Sequence, residues 1–573
     1  MSNRKKMISK FFGTGLAIAL MANAGQAQEL NNADQFHMMY PSASGSFLAG
    51  RGALVDRRTE KAASFFMDAL GEDWDNIVLL DRAFMSLMAS GQIEEAESLA
   101  KRLIELEPQN ELAALVQGVV ALKERRYRSV ESALAGSSKN SLFGILSNVV
   151  LGWSKIGAGD DEAAYALVNS IDQPGFQNFL VFQRALMADV GGDRNQAREL
   201  YAEAQKSDPY VVSIVEAYSR FLANIGEFDA AQDVLDNFFN RGLTHINIEN
   251  VAETIAQKKR PGKLADNVQE GAAELLRGLS AALSNEETSD FSLVMMRLAA
   301  YADPKSELIA FSLAELLEQA ERYEEANDIY QAIDRKSHYY EASLIRISEN
   351  LRELERADEA IKKLNNIVAQ YPDNISAIIA LGDTLRTEER YEEASAAYTK
   401  ALDITQGKRP VDWHLFFIRG IAYERQGAWP QAEADFKQAL KLFPEQPQVL
   451  NYLGYSWVDQ GVNLEEALGM IETAVSLRPN DGAIVDSLGW AYYRLERFDD
   501  AVETLERATR LEPSDPTIND HLGDAYWKVG RKREAGFQWS KAKEMDPDEE
   551  LLEEINAKIS DGLIEVAANG DNG

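Results

Sequence analysis

Five histidines, His37, His245, His338, His414 and His521, are all the imidazole chemistry this chain can offer. No two have the i, i+4 spacing that brings a pair of zinc ligands to one helix face, and no H-E-x-x-H occurs. Cysteine is absent, which removes disulfides, thiolate metal sites, thiol nucleophiles and lipidated anchors together. The sequence has no phosphate loop of the G-x-x-x-x-G-K-[ST] kind, no dinucleotide-binding glycine fingerprint and no G-x-S-x-G nucleophile elbow. Paired carboxylates are frequent, at Glu324-Glu325, Glu392-Glu393 and Glu465-Glu466. Each pair precedes a small residue at a fixed offset, where negative charge favours a helix N-terminus through the peptide dipoles. The expectation is therefore a protein that is not an enzyme, with no metal and no cofactor.

The elements that must position any binding residues are read from an internal period. Val485-Asp486-Ser487-Leu488-Gly489-Trp490 aligns with Asn519-Asp520-His521-Leu522-Gly523-Asp524 and with Leu450-Asn451-Tyr452-Leu453-Gly454-Tyr455. Gly489 and Gly523 are 34 residues apart. An alanine follows twelve residues later, at Ala501 and Ala535, another seven on, at Ala508 and Ala542, and a proline five beyond that, at Pro513 and Pro547. Gly420, Ala432, Ala439 and Pro444 repeat the set upstream. The pattern resembles the tetratricopeptide repeat (TPR), two antiparallel helices per unit. The glycine and first alanine are expected where the two helices approach most closely. The Leu453-Gly454-Tyr455, Ser487-Leu488-Gly489-Trp490 and His521-Leu522-Gly523-Asp524 segments further resemble exported bacterial TPR proteins. The resemblance implies an all-α fold, a TPR superhelical solenoid of antiparallel helix pairs in two lobes, with about fourteen units.

The organisation expected along the chain follows from that register. Arg4, Lys5, Lys6 and Lys10 precede an apolar run, Phe11 to Ala22, and small residues at Ala22-Asn23-Ala24 or Gly25-Gln26-Ala27. This is the pattern of a signal peptide over residues 1–27, and it points to a periplasmic protein, with secretion as the alternative. Residues 43–242 are expected as an N-terminal superhelix of degenerate repeats. The register breaks over 243–272, which holds Lys258-Lys259-Arg260-Pro261-Gly262-Lys263. That segment reads as an irregular connector or as a rigid irregular repeat. Residues 273–549 are expected as the C-terminal superhelix, and 550–573 as a capping helix and disordered tail. No stretch after the leader approaches the eighteen apolar residues of a membrane span.

Charge and composition narrow the partners. Lys+Arg total 59 against 92 Asp+Glu, a net charge of −33. Such a surface repels nucleic acid, whose binding depends on neutralising phosphates. The resemblance implies that the first helix of each unit lines a concave groove. By register this places Asn451, Tyr455 and Val458, then Asp486, Trp490 and Tyr493, then Asp520, Asp524 and Trp527 on that face. An aromatic and acidic stripe suits an extended or helical protein segment, basic or amide-rich, with the tryptophans either as anchors or as packing between units. His521 reads as a hydrogen-bonded structural residue or as a group that titrates near neutral pH. The expected function is a protein-binding scaffold, possible roles being envelope or outer-membrane assembly. The alternatives are an accessory subunit of cell-wall or exopolysaccharide machinery that binds a glycan or a synthase, and a chaperone for exported chains.

Overall fold

The computed structural model describes residues 42–71, 73–283 and 289–563. The leader sequence, His37 and the tail after Leu563 lie outside the described residues. Among the described residues the regular structure is α-helix throughout, apart from one short 3-10 turn at Pro410–Asp412. The chain divides into two compact units between Lys363 and Leu364.

Both units are built from the same turn. The residue that ends the first helix of a pair takes positive φ at Arg57, Gly91, Arg125, Gly159, Gly192 and Gly226, and again at Glu321, Glu355, Glu389, Gly427, Gly461, Glu496 and Gly530. Most successive members within each run are 34 residues apart. First helices start on polar caps at the same interval. Asn76 and Asn110 accept the N–H of Leu79 and Ala113, and Asp481 and Asp515 those of Ile484 and Ile518. Each such cap contributes about 1 kcal/mol to its helix.

The glycines sit at the closest approach of the two helices. A Cβ on Gly420, Gly489 or Gly523 would lie 2.6 Å from Phe436, 2.5 Å from Leu505 and 2.4 Å from Trp539. The residue met is not the first alanine but the side chain four beyond it. Ala432, Ala501 and Ala535 themselves are fully buried.

In the first unit, six helix pairs run from Ala43–Val55 to Phe228–Phe239. Residues 243–272 then hold a single helix, Ile246–Ala256, a loop over 257–267 and the start of helix Val268–Ala282. The loop doubles back along earlier first helices. Arg220 donates to the Pro261 carbonyl at 2.9 Å, Asn224 accepts the Gly262 N–H at 3.2 Å, and Lys263 pairs with Asp189 at 3.1 Å. This return delivers the pair Val268–Ala282 and Ser289–Ala302 onto the first helices Ile77–Ser90, Glu111–Lys123, Leu142–Gly157 and Gln177–Gly191. Gly271 makes room for Trp153, whose ring would lie 2.3 Å from a Cβ there, and Gln269 donates to the Leu122 carbonyl at 2.9 Å. Beyond the pair, Arg322 reaches Thr59 Oγ1 at 2.6 Å and Arg57 pairs with Glu321, so the unit meets its own beginning.

The second unit carries five pairs, from Ile375–Thr387 with Tyr391–Thr405 to Pro516–Lys528 with Lys532–Lys543. The offset near Gln406-Gly407 is absorbed by two consecutive positive-φ residues and the 3-10 turn. A last single helix, Glu549–Asp561, follows.

Candidate functional site

The first helices Pro447–Gln460, Gly482–Arg494 and Pro516–Lys528 carry the eight residues that the sequence singles out. Asn451, Tyr455, Trp490, Tyr493 and Trp527 are half-buried, whereas Asp486, Asp520 and Asp524 are 6%, 3% and 4% exposed. The three aspartates therefore do not line an open groove, because each is covered by a neighbouring element. Val458 is fully buried as well and belongs to the core.

Asp486 lies against the next first helix. Both of its carboxylate oxygens are 3.0 Å from Nδ1 of His521, which is itself buried. Trp490 stacks on the His521 ring at 4.1 Å between centroids and on Tyr493 at 4.7 Å. The three rings form one row across two repeats. Packing between units is thus part of the work of Trp490, although its indole Nε1 has no hydrogen-bond partner in the protein. The amide oxygen of Asn451 is likewise without one.

Asp520 and Asp524 are covered by the last helix. Lys558 donates to Asp520 Oδ2 at 2.6 Å and to Asp524 Oδ2 at 2.9 Å. Trp539 Nε1 donates to Asp524 Oδ1 at 2.9 Å. Trp527 packs on Trp539 at 5.4 Å and against Gly562, where a Cβ would meet its ring at 2.2 Å. Lys558 was not among the residues singled out from the sequence. Its position is nevertheless legible, since it falls 34 residues after Asp524, one repeat on.

Burial and charge set the protonation of this cluster. Burial alone would depress His521, but Asp486, with Asp520 and Asp524 behind it, holds the imidazole above its ordinary value. Burial raises Asp524, the Asp520 charge raises it further, and Lys558 and His521 only partly offset this, leaving it at about 6. Lys558 loses from burial yet is raised overall by Asp524 and Asp520. A group with a raised folded-state pKa stabilises the fold below its unfolded pKa and loses that contribution as pH rises through the folded value. For Asp524 the window runs from 3.8 to about 6, and for His521 from 6.5 upward. The second unit is expected to lose on the order of 2 kcal/mol between pH 4.5 and pH 8 through these groups. Denaturant titrations at the two pH values check this: an Asp524→Asn/His521→Asn protein that keeps the full wild-type pH dependence would refute the assignment.

In the first unit the pair 268–302 covers the first helices Ile77–Ser90, Glu111–Lys123, Leu142–Gly157 and Gln177–Gly191. That pair is anchored by buried charge. Arg277 holds Glu274 with two hydrogen bonds, at 2.7 and 2.6 Å, and donates to Ser213 at 2.8 Å. Among the described residues no group of three or more His, Asp or Glu is placed to hold a metal ion, and no helix is long and apolar enough to cross a membrane.

Comparison with known proteins finds tetratricopeptide repeats in part of the chain. The TPR repeat model matches residues 489–530, and the tetratricopeptide repeat model matches 82–129, 346–409 and 417–482. The TPR repeat-containing protein PA4667 of Pseudomonas aeruginosa is 29% identical over 192 residues, 33% of this chain and 32% of that protein. The human protein O-mannosyl-transferase TMTC1 is 25% identical over 182 residues, 31% of this chain and 20% of that protein. The matched part of this chain thus spans a third or less of either relative's length. Among solved structures, Cut9–Hcn1 of the APC/C hetero-tetramer aligns over 94% of this chain and 99% of its own, at 13% identity and a TM-score of 0.38. Helix pairs that recur at 34 residues, with repeat models lying on pairs in both compact units, show that this chain carries tetratricopeptide repeats.

Proposed function

We propose that the chain is a non-enzymatic scaffold that binds a protein segment on the first-helix face of its second unit, between Trp413–Arg425 and Gly482–Arg494. The observation that carries this reading is a row of part-exposed side chains on that face, Asn451, Tyr455, Trp490 and Tyr493, two of which hold a buried polar atom without a partner. Trp490 Nε1, a donor, and Asn451 Oδ1, an acceptor, are covered in the free protein, and the Trp490 ring stacks on half-buried Tyr493. A partner backbone supplies one acceptor and one donor per residue, which is the complement these two atoms require. Buried polar atoms without partners each cost about 1–3 kcal/mol, so a partner segment that turns these side chains outward and satisfies them gains affinity. With a net charge of −33, the chain favours a basic or amide-rich segment over an acidic one. The charged start, apolar run and small residues of the first 27 positions support export to the periplasm, and with it a role in the assembly of the cell envelope.

Crosslinking of the full-length protein in its native compartment tests this. Trp490→Phe keeps the ring row and removes the indole donor, and Asn451→Leu removes the amide oxygen at similar volume. The double variant, with unchanged helical circular dichroism, is expected to lose one or a few specific captured proteins, with at least a tenfold fall in affinity for each. A captured set that matches the wild type would overturn the reading. Enrichment of glycan alone would support the accessory-subunit role instead, and diffuse capture of many unfolded chains a chaperone.

A further inference from the structure

A cavity of about 260 Å³ opens in the first unit, where helices Val212–Asn224, Ile246–Ala256 and Val268–Ala282 meet the start of Glu307–Gln319. Part of its lining is a closed polar network. Glu216, Asn247 and Tyr339 are 3%, 3% and 2% exposed. Arg220 and Asn247 donate to separate oxygens of Glu216, each at 3.0 Å, and the Tyr339 hydroxyl donates to the Asn247 amide oxygen. These groups satisfy one another, so they form a fixed wall. Other lining charges are committed as well. Lys263 pairs with Asp189, Glu274 pairs with Arg277, and Glu270 accepts from the Asp266 N–H and the Asn267 amide. Two charges of opposite sign are left over. Lys305, exposed, and Glu307, half-buried, both line the cavity. Neither side chain has a hydrogen-bond or ion-pair partner among the described residues. Half-buried Leu264 and Leu308, with buried Ile309, supply an apolar stretch of the same wall.

We infer that this cavity binds a small aliphatic α-amino acid, with its carboxylate on Lys305, its ammonium on Glu307 and its side chain on Leu264 and Leu308. The volume falls just below the range of about 300–1,000 Å³ for drug-sized ligands, which suits a small solute. Charge selects the zwitterion. A simple anion would enter a wall where Glu216, Glu270, Glu274, Asp303 and Glu307 outnumber Arg220, Lys263 and Lys305. A simple amine would leave Lys305 unanswered and face it as a like charge. A zwitterion pairs with both free groups and brings in no net charge. The N-terminus of helix Glu307–Gln319 lies in the same wall and adds partial positive charge on the side of Lys305. The floor network is already satisfied, so it keeps its shape whether the cavity is empty or filled. This site lies in the first unit and is independent of the segment-binding face of the second, because its variants leave Asn451 and Trp490 untouched.

The probes are L-leucine and L-valine, titrated into the full-length protein by isothermal calorimetry. Two leucine analogues each lack one charge: isoamylamine has no carboxylate and isocaproate has no amine. At least one of the two amino acids is expected to bind at a single site, and each analogue at least tenfold more weakly than leucine. Lys305→Gln and Glu307→Gln should each weaken amino-acid binding at least tenfold, whereas Lys336→Gln, which changes a nearby charge outside the cavity, should not. Neither rim side chain has a partner in the free protein, so both variants should unfold thermally as the wild type does without ligand. A saturating amino acid should also slow hydrogen exchange over residues 305–309. No binding of either amino acid, equal binding of an analogue, or wild-type affinity in either rim variant would each overturn the inference. So would binding that leaves exchange over 305–309 unchanged, which would place the ligand elsewhere.

Discussion

Arg277→Ala is expected to destabilise the first unit by about 3–5 kcal/mol. The guanidinium is 11% exposed and meets the Glu274 carboxylate, 7% exposed, in a two-bond fork, with Ser213 of helix Val212–Asn224 as its third contact. Burial alone would lower the arginine pKa, but Glu274 and Glu216 raise it, so the guanidinium keeps its charge. Removing one side leaves a carboxylate in the interior without its cation, which costs far more than the intact pair contributes. Replacing both, as Glu274→Leu/Arg277→Met, removes the stranded charge and is expected to recover most of the loss. Denaturant unfolding of the two variants checks this: equal destabilisation of single and double variants would show that the pair acts through something other than its charge. The loss should appear in hydrogen exchange of helix Val268–Ala282, because Arg277 joins that helix to Ser213 of Val212–Asn224.

Trp539→Ala is expected to cost the second unit about 3–5 kcal/mol, the range for deleting a large buried aromatic. The ring is 1% exposed, fills the space left by the missing side chain of Gly523, and donates to Asp524. Trp539→Phe keeps much of the volume and removes the donor, so its smaller loss, about 1–2 kcal/mol, isolates the hydrogen bond. Exchange protection is expected to fall first in Pro516–Lys528 and Glu549–Asp561, the two helices that share Asp524. Loss confined to Lys532–Lys543 would show that the tryptophan does not couple them.

The repeat register was plain in the sequence because its physical cause is local. Gly489 and Gly523 mark close helix approach, and small residues at Ala501 and Ala535 permit it, so the spacing of a few residue types is enough to place both helices. The helices that begin at Ile77 and Glu111 are one such period apart. The placement of 268–302 was not legible. Gln269 and Leu122 are 147 positions apart, and neither residue type announces the other. The basic run Lys258 to Lys263 looks like a solvated break in the pattern, yet Pro261, Gly262 and Lys263 are bound to Arg220, Asn224 and Asp189. At the candidate site, register put Trp490, Tyr493 and Asn451 on one face, but it could not tell a lining residue from a covered one. Asp520 and Asp524 are covered because a helix rich in glutamate lies over them, and composition alone would assign such a helix to solvent. His521 was readable as structural, and the structure supplies its partner, Asp486.

The meeting of Arg322 with Thr59 and of Arg57 with Glu321 has a thermodynamic consequence. In an open array of repeats, stability is nearly a sum over nearest neighbours, and terminal units fray independently of the middle. The first unit lacks that freedom. Its opening helices and the turn at Glu321-Arg322 hold one another across more than 260 residues, with the pair 268–302 bound to helices between them. The opening repeat cannot melt without also releasing a partner far along the chain. The first unit should therefore unfold in a single cooperative step, and should fold late, since the contacts that complete it must wait for loops of this length to close.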